Sequence, residues 1–464
     1  MMKRVPAKLL FLLLIPVLWG ARNASASDTL NVDTEYRMRG ITLSNYDTAV
    51  TTSNSSRSYF DQRIRLSIIG KFAPGVEIGS RITAMEVEGA STDYFHAPYP
   101  RTDLTPFIEN AYVKVSNMAD SNLDLTVGKV ALNFGDGLII GDNGTGFNVL
   151  KLDGAFNTPV PYIYWNKGWL PKSGVIYIPS KFEAFISKIS ESIHADTDYD
   201  LMGGVATMEI QQHRVDFGYF DSRDYSGPLY TRGALSLPTK SILKEFYDLR
   251  VNRQLQSAYY SLEIAAENGL ITKPDYDSIN INGLGWVAQG NLVDEKFKFG
   301  KIEGRAVLAM FTGSDSTSAI AGTEGAFTPD FTKRWDGFER GVYGQLFGAT
   351  PVDSFVMINS GYSGINTMNL GIDYIPADIW TISADYYSFS ASRGIDGKDS
   401  NWLAQRLGAR FSLGNELDLA VKLAINKYTS AKITYGLYTP PDFNEFWPDN
   451  NPLARYAVEL TAKF

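Results

Sequence analysis

Apolar and polar residues alternate at every second position over long stretches of this chain. Near the C-terminus the apolar positions of one such stretch are Leu417, Leu419, Val421, Leu423 and Ile425. The last segment repeats the pattern and ends on Phe464. A period of two predicts β-strands with one apolar and one polar face. These stretches run for roughly ten residues, the length that a tilted strand needs to cross a bilayer, whereas strands of soluble sheets usually have about five or six.

The same alternation predicts strands along most of the sequence. Clear examples lie at residues 31–43, 64–68, 78–84, 108–115, 203–210, 214–220, 257–267, 282–292, 297–311, 335–346, 354–362, 367–375 and 380–390. Two stretches are harder to interpret. Residues 240–251 fit a short helix or a poorly patterned strand. Residues 157–174 contain two tryptophans and several prolines, which break a strand ladder. This composition predicts a long aromatic loop, which would cap or fold into the mouth of any barrel that the strands form.

Long alternating strands without an apolar helix predict an all-β, transmembrane, antiparallel β-barrel. In lipid every backbone polar group must be hydrogen-bonded within the protein, and besides an α-helix a closed barrel is the structure that achieves this. Residues 27–464 divide into about eighteen strand-plus-connection units of roughly 24 residues, and bacterial barrels have even strand numbers. Eighteen strands is therefore the expectation, with sixteen as the alternative. The partner of the outer surface would be outer-membrane lipid.

The N-terminus has the features of a secretory signal. Lys3, Arg4 and Lys8 precede an apolar run over residues 9–19, and small residues follow at 24–26. The apolar run is about half the length of a spanning helix, which favours a cleaved signal peptide over residues 1–26. The remaining 27–464 would then form the barrel in the outer membrane of a Gram-negative-type envelope.

Composition narrows the function. The chain has 43 basic and 51 acidic residues, a net charge of -8, and removal of the signal would lower this to about -12. Such a balance argues against nucleic acid as a partner. The absence of cysteine excludes disulfides, thiolate metal sites and cysteine nucleophiles. Aromatic residues make up 13%, which fits girdles at the two membrane interfaces.

Alternation also predicts which charged side chains face the lumen. The candidate pore-lining cations are Arg63, Arg65, Arg81, Lys129, Lys151, Arg305, Arg406, Arg410 and Lys422. Carboxylates expected beside them are Glu109, Asp124, Asp216, Glu263, Glu303, Asp373, Asp385 and Asp418. These charges either pair across neighbouring strands and stiffen the wall, or leave cations in excess at a constriction that attracts carboxylates. Both interpretations stay open at this level.

The sequence contains no persuasive catalytic or metal site. Its three histidines have no pair at metal-ligand spacing. His213 with Asp216 could imitate a hydrolase pair, a weak alternative. Residues 196–200 alternate acidic residues like a calcium loop, but Leu201 and Thr207 stand where that loop requires Gly and Glu. We therefore expect no enzyme activity, no cofactor and no metal.

Several short motifs, in order along the chain, resemble the alginate-export family of outer-membrane barrels. They lie at residues 127–141, 147–153, 260–265, 309–315, 327–331, 413–419 and 438–443. The motif residues are Gly128, Gly135, Asp136, Gly141, Leu152, Gly313, Asp315, Glu416, Asp418 and the terminal Phe464. Lys129 and Lys151 stand where the family has arginine, and lysine lacks the planar bidentate fork that arginine offers a carboxylate. Asn148 replaces the family's aspartate.

The resemblance implies an eighteen-stranded passive channel that conducts an anionic polysaccharide or small organic anions, with possible export partners in the periplasm. Arg and Lys side chains along the lumen would offset the charge of the anion at successive points of its path. The alternatives are a general diffusion porin, and a structural barrel that sheathes an envelope partner.

Overall fold

The computed structural model describes most of the chain. The described residues are 29–45, 56–88, 105–118, 121–141, 146–165, 171–190, 198–232, 235–275, 277–295, 297–313, 323–332, 346, 364–391, 412–440 and 452–464. The signal peptide predicted at 1–26 lies outside them. So do the strand predicted at 354–362, that predicted at 335–346 apart from Leu346, and the candidate residues Arg406, Arg410 and Asp315.

The described residues form strands joined by turns. The first nine strands are β1 (Thr29–Ser44), β2 (Ser56–Ala73), β3 (Val76–Glu88), β4 (Thr105–Val115), β5 (Leu123–Val130), β6 (Phe147–Trp165), β7 (Pro171–Ser190), β8 (Tyr199–Ile210) and β9 (His213–Asp224). The next seven are β10 (Leu229–Arg232), β11 (Leu235–Pro238), β12 (Ser241–Gln254), β13 (Ala258–Thr272), β14 (Ser278–Asp294), β15 (Lys301–Phe311) and β16 (Thr323–Glu324). The last five are β17 (Ile365–Ala377), β18 (Trp380–Ala391), β19 (Ser412–Ala424), β20 (Thr429–Thr439) and β21 (Leu453–Lys463).

Each wall strand pairs antiparallel with the next, and β1 pairs with β21 to close the sheet. Within the described residues, β10 and β11 form a separate hairpin and β16 makes a short parallel pairing with β14, which leaves eighteen strands in the wall. The prediction of an eighteen-stranded antiparallel transmembrane barrel is confirmed, and the sixteen-stranded alternative is wrong. None of the described residues belongs to a helix that is long and apolar enough to span a membrane.

The wall strands follow the predicted alternation of faces. On β21, Val458 is 58% exposed, whereas its neighbour Ala457 is 2% exposed and Arg455 is fully buried. Ile433 on the adjacent β20 is likewise exposed. Apolar side chains therefore coat the outside of the barrel, where they would meet lipid, and ionic side chains point inward.

The barrel has a short-turn end and a long-connection end. Both described termini lie at the short-turn end, where the backbones of Thr34 and Phe464 exchange two hydrogen bonds of 2.9 Å. The tight β2–β3 turn at Gly75 lies at the same end, because Lys71 of β2 pairs with Thr29 of β1. In bacterial barrels short turns face the periplasm, which orients the molecule.

At this short-turn end β6 and β7 extend far past their neighbours. Beyond Ala155, which bonds to Asn122, and beyond Ser180, which pairs with β8, the two strands pair only with each other. The prediction of a loop over 157–174 was wrong here, since the described part of that range is a paired hairpin.

The prolines explain why this ladder survives. Pro159 pairs with Tyr177 and Asn157 with Pro179, and Pro161 and Pro171 share the same register parity. Positions in an antiparallel ladder alternate between hydrogen-bonded and non-hydrogen-bonded pairs. All these prolines belong to the same one of these two classes of pair. Proline has no N–H to donate. They occupy the positions whose N–H would point away from the partner strand, so no ladder bond is lost.

The ambiguous stretch at 240–251 belongs to β12. Phe246 and Lys244 are buried on its inner face, whereas Tyr247 and Leu249 are exposed on the outer face. The pattern is hard to recognise in the sequence because an aromatic, a lysine and an aspartate all point inward. Their partners come from distant parts of the chain.

Candidate pore constriction

Two connecting segments fold into the lumen instead of staying at the rim. The first comprises residues 131–141 and the second residues 325–332. Leu132, Phe134 and Ile140 of the first segment are buried in the main apolar cluster. The Phe134 ring lies 5.5 Å from that of Phe185 and 5.3 Å from that of Phe220, both on the wall. We call 131–141 and 325–332 the first and second inserted segments.

A charged clasp fastens the first inserted segment to β12 and β13. Arg250 Nη2 on β12 donates to Asp136 Oδ1 at 2.6 Å. Ser261 Oγ on β13 donates to Asp136 Oδ2 at 3.0 Å. The backbone N–H of Asp136 donates to the carboxylate of Glu263, also on β13. The segment is thus bound through both its side chain and its backbone.

The second inserted segment has a clasp of the same design. Lys244 Nζ on β12 lies 2.8 Å from Asp330 Oδ1 and 3.6 Å from Glu267 Oε1. The backbone N–H of Thr328 donates to Glu267 Oε2 at 2.6 Å. In each clasp a cation on β12 holds an aspartate of the segment, and a glutamate on β13 accepts a backbone N–H from it.

The two inserted segments also contact each other, and one residue outside both segments bonds to the far side of the lumen. Ile140 and Phe331 form a parallel bridge, and the N–H of Gly141 donates to the carbonyl of Phe331 at 2.8 Å. Leu346, fully buried, donates its N–H to Glu416 Oε1 on β19 at 2.8 Å. Together these contacts hold two segments inside the barrel, where they reduce the open cross-section.

The first clasp is rich in carboxylates. Asp216 Oδ2 and Glu263 Oε2 each lie 3.7 Å from Arg250. Asp248, two residues before Arg250 on the same strand face, is also buried. Arg214 compensates in part, with its Nε 2.8 Å from Asp216 Oδ1. Isolated charges are costly to bury, so the guanidinium of Arg250 is needed to offset the buried carboxylates of this cluster.

The opposite wall, formed by β1, β2 and β3, is rich in arginine. Arg65 and Arg81 share one carboxylate, Glu109, at 3.2 and 3.4 Å. Glu109 is almost fully buried, whereas the Arg65 and Arg81 side chains are 24% and 35% exposed. Two guanidinium groups thus contact one buried carboxylate, and Arg65 also lies in register opposite Glu35 on β1.

Two further arginines of this wall are tied to carboxylates on neighbouring strands. Arg39 Nε donates to Asp61 Oδ1 at 2.7 Å, and both side chains are buried. Arg63 Nη2 lies 2.5 Å from Glu35 Oε1. These pairs bond along the wall from strand to strand, because Asp61 lies on β2 and Glu35 on β1.

The other described candidates lie in separate places. Lys151 contacts Asp153 and Glu183 at 2.9 and 2.7 Å. Arg305 Nη2 donates to Asn369 at 2.8 Å and to Asp385 at 3.2 Å. Lys422 lies near the short-turn end of β19, opposite Lys432. The structure therefore places Arg63, Arg65 and Arg81 on one wall and distributes the rest.

Lys129 differs from the prediction. It lies two residues after Val127, which is exposed on the outer face, so the Lys129 side chain also points outward. Lys129 pairs with Ala111 of β4, and its Nζ donates to the carbonyl of Ile108 at 2.8 Å. The following segment turns into the lumen, so the inward residue at this level is Val130 instead, which packs against the apolar cluster.

The motif residues have mainly structural positions. Gly128 and Gly135 have φ of 129° and 59°, a region that favours glycine, and a Cβ on Gly135 would meet the Glu263 carboxylate. The backbone N–H of Gly141 bonds to the second inserted segment. Leu152 points outward, as Leu150 does two residues earlier. Gly313 lies just after the end of β15. Glu416 and Asp418 point inward and are buried. The Phe464 ring lies 5.8 Å from that of Tyr428 at the rim.

Histidine chemistry has no site in the described part of the chain. His213 Nε2 lies 2.7 Å from the Tyr260 hydroxyl, and its other ring nitrogen contacts a backbone carbonyl. Among the described residues no group of three or more His, Asp or Glu side chains could hold a metal ion.

Four important cations were missed by the sequence reasoning. Arg37 and Arg39 alternate with Met38 and Gly40 on β1, a signal that could have identified them. Lys244 and Arg250 lie in the ambiguous stretch. Their role depends on inserted segments more than eighty residues away in the chain, as the separation of 114 residues between Arg250 and Asp136 shows.

The comparisons with known proteins support the fold class. No family model matches the chain, and no curated protein matches it in sequence. The structure is similar to a double variant of OccD1 (OprD), with a TM-score of 0.51 at 11% identity over 94% of this chain and 95% of that chain. Pseudomonas aeruginosa OccK2 (OpdF), solved with glucuronate, is also similar. Its TM-score is 0.49 at 12% identity, over 94% of this chain and 98% of that chain.

A third similar structure is Pseudomonas aeruginosa OccK11 (OpdR), with a TM-score of 0.48 at 10% identity over 93% of this chain and 96% of that chain. At such identities the likeness concerns the fold alone. With a TM-score above 0.5, the match to OccD1 (OprD) shows that the eighteen-stranded antiparallel barrel has a fold similar to that protein's. Membership of the alginate-export family, which the motifs suggested, gains no support from these matches.

Proposed function

We propose that this chain is a passive outer-membrane channel for small organic anions. The observation that carries the proposal is the arginine-rich wall, where the partly exposed Arg65 and Arg81 share the buried carboxylate of Glu109. Partly exposed guanidinium groups beside a constriction attract carboxylates in the way that cationic rings do in anion pores. The eighteen-stranded barrel, similar in fold to OccD1 (OprD), supports a passive role.

The inserted segments set the size limit in this proposal. They rest against β12 and β13, and β2 lies opposite β13 in the circular strand order. A permeating anion would pass between the inserted segments and the arginine-rich wall. Arg65 and Arg81 can each exchange Glu109 for a passing carboxylate, and the planar guanidinium suits that bidentate contact. An anionic polysaccharide, the cargo implied by the alginate-export resemblance, is the larger alternative.

A planar bilayer experiment tests the proposal. The purified barrel is reconstituted in a potassium chloride gradient, and the reversal potential is measured with and without glucuronate or an oligouronate. We expect an anion-selective reversal potential and a reduction of current by glucuronate. Block by the oligouronate but not by glucuronate would favour the polysaccharide. Cation selectivity would refute the anion channel.

A general diffusion porin is the second candidate, and one observation favours it. Arg39, Arg63 and Lys151 already have carboxylate partners at hydrogen-bonding distance. Charges neutralised within the wall give little selectivity. A reversal potential near zero, with no effect of either uronate, would identify the chain as such a porin.

Residence in the outer membrane is part of the proposal. The exposed apolar band and the porin fold support it, and the predicted signal peptide at 1–26 would supply export. Membrane fractionation of cells that express the full chain, with N-terminal sequencing of the product, tests both. We expect an outer-membrane protein that begins after Ala26.

A further inference from the structure

The outer surface of the barrel is not equally apolar all the way round. On β17 and β19 successive outward residues are apolar and exposed, namely Met368, Leu370 and Ile372, and Leu417, Leu419 and Val421. The outer surface of β1 to β6 differs, because polar side chains are set among its apolar ones. They include Tyr36, Gln62, Glu86, Lys129 and Asn148. We call the outer surface of β1 to β6 the polar outer face.

One edge of the polar outer face is acidic. The Tyr36 hydroxyl on β1 donates to Gln62 Oε1 on β2 at 3.2 Å, and Gln62 Nε2 donates to Glu86 Oε2 on β3 at 2.7 Å. The exposed Met38 and Phe60 lie two residues from Tyr36 and Gln62 on the same outward rows, and Gln62 is directly opposite Glu86. These bonds satisfy the amide but leave the carboxylate charge of Glu86 in place.

The other edge of the polar outer face is basic. Lys129 of β5 lies directly opposite Asn148 of β6. Each has an exposed apolar residue two positions away on its own strand, Val127 for Lys129 and Leu150 for Asn148. The Lys129 ammonium donates to a neutral carbonyl, that of Ile108, and therefore keeps its charge.

Outward charges elsewhere on the described wall are neutralised by near neighbours. Lys188 of β7 lies 2.6 Å from Asp198, and Arg223 of β9 lies 2.5 Å from Asp221. A charged side chain on a lipid-facing surface is destabilising, most strongly toward the middle of the bilayer. Local pairing removes much of that cost on β7 to β9.

Glu86 and Lys129 cannot neutralise each other within one barrel. Lys129 is opposite Ala111 of β4, which is opposite Ser80 of β3. Ser80 lies six residues before Glu86, which is about 20 Å along the strand at roughly 3.3 Å per residue. The width of two strand spacings adds to this separation. A partner for each charge therefore has to come from outside the molecule.

The centre of the polar outer face is apolar. Ile82 of β3 and Ile108 of β4 lie opposite each other between the two edges, and they are 39% and 53% exposed. A surface with an apolar centre, one acidic edge and one basic edge is complementary to itself. Across a two-fold axis through its centre, the acidic edge of one copy faces the basic edge of the other, twice. A lipid phosphate would suit Lys129 but would repel Glu86.

We propose that the polar outer face binds a second copy of this chain across a two-fold axis normal to the membrane. Ile82 and Ile108 pack against the same residues of the second copy, and Glu86 of each copy pairs with Lys129 of the other. The proposal rests on residence of the barrel in a membrane, as proposed above, and not on the passage of anions.

Cross-linking in the membrane tests the apolar centre. The chain contains no cysteine, so one introduced thiol reports one contact. Ile108→Cys is expressed in the full chain, isolated outer membranes are oxidised, and the disulfide-linked dimer is measured on a non-reducing gel. The matched control is Leu370→Cys on β17, at a residue that is 54% exposed against 53% for Ile108. We expect Ile108→Cys to form most of the dimer, whereas Leu370→Cys should show only collisional cross-linking.

Charge reversal in the Ile108→Cys chain tests the two edges. Glu86→Lys and Lys129→Glu should each lower the dimer yield by about tenfold, because like charges then face each other. The double variant should restore the yield, and no bond within one barrel can cause this, since the two residues lie too far apart. Glu245→Lys is the control. It reverses an outward carboxylate of β12 that accepts a bond from the Tyr247 hydroxyl, and it should leave the yield unchanged.

Equal cross-linking of Ile108→Cys and Leu370→Cys would overturn the proposal, and so would a double variant that does not recover. Lipopolysaccharide that co-purifies with the wild type and is lost in Lys129→Glu, without any dimer, would assign the face to lipid instead. Folding of each variant is followed by the mobility of the unheated barrel on a gel. Bilayer reversal potentials measure the channel separately, so cation selectivity would refute the proposed function and leave the dimer standing.

Discussion

The two opposite walls of the barrel use similar charged residues for different purposes. On β12 and β13, Arg250 and Lys244 reach out of the wall and hold the inserted segments. On β1 to β3, Arg39 and Arg63 bond to carboxylates on neighbouring strands and hold the wall to itself. An inward arginine therefore does not define a pore-lining residue. Its partner decides whether it builds the constriction, stiffens the wall or stays available to a permeating ion.

Removal of the first clasp should have the largest effect. Arg250→Ala leaves Asp136, Asp216 and Glu263 without their shared cation, and breaking a buried ion pair by removing one partner costs about 3–5 kcal/mol. We expect a lower free energy of unfolding in urea and a larger single-channel conductance, because the first inserted segment is released.

The matched control for Arg250→Ala lies on the opposite wall. Arg39→Ala also removes the cation of a buried pair, with Asp61, and should lower stability by a comparable amount. Its conductance should stay at the wild-type level, because Asp61 belongs to the wall. Equal conductance changes in the two variants would contradict the distinction between the walls.

Substitution of the second clasp should have the next largest effect. Lys244→Met keeps the length of the buried side chain but removes its charge from Asp330 and Glu267. We expect a loss of about 3 kcal/mol and a conductance increase that is additive with Arg250→Ala only in part, since the inserted segments bond to each other. Full additivity in the double variant would show that the two segments are independent.

A glycine in the first inserted segment permits a smaller and more specific test. Gly135→Ala places a methyl group against the Glu263 carboxylate at a positive φ, which should cost about 1–3 kcal/mol and loosen the clasp. Gly304→Ala on β15 is the control, because nothing lies within 4 Å of its added Cβ. Urea unfolding and conductance of both variants give the comparison.

The smallest effect on stability, and the most informative for selectivity, should come from the arginine-rich wall. Arg81→Gln removes one of the two cations on Glu109, and the partly exposed pair contributes at most about 1 kcal/mol. We expect nearly unchanged unfolding but a reversal potential that shifts toward zero. A shift equal to that of Lys301→Gln, at the short-turn end, would deny this wall any special role.

The period-two pattern was sufficient for the wall of the barrel. Strands such as β20 and β21 follow local rules, because lipid on one side and water on the other impose opposite demands on successive side chains. The same rule predicted Arg63, Arg65 and Arg81 for the inner face, and Arg65 and Arg81 contact the buried carboxylate of Glu109.

The constriction could not be derived in this way. The importance of Asp136 depends on Arg250, 114 residues later in the chain, and a buried charge pair leaves no periodic trace at that separation. Lys129 was misplaced because the chain leaves the wall directly after β5. The hairpin at 157–174 was mistaken for a loop because proline counts against a strand only where its N–H is needed.

The seam between β1 and β21 has a consequence for biogenesis. Asn45 and Pro452, which bond across it, are 407 residues apart in the chain. Synthesis must finish before the cylinder can shut, and until then both margins of the sheet carry open backbone donors and acceptors that invite aggregation. A nascent chain of this kind needs a holding chaperone in transit. Loss of even the last strand would yield an unclosed sheet, which we expect quality-control proteases to remove.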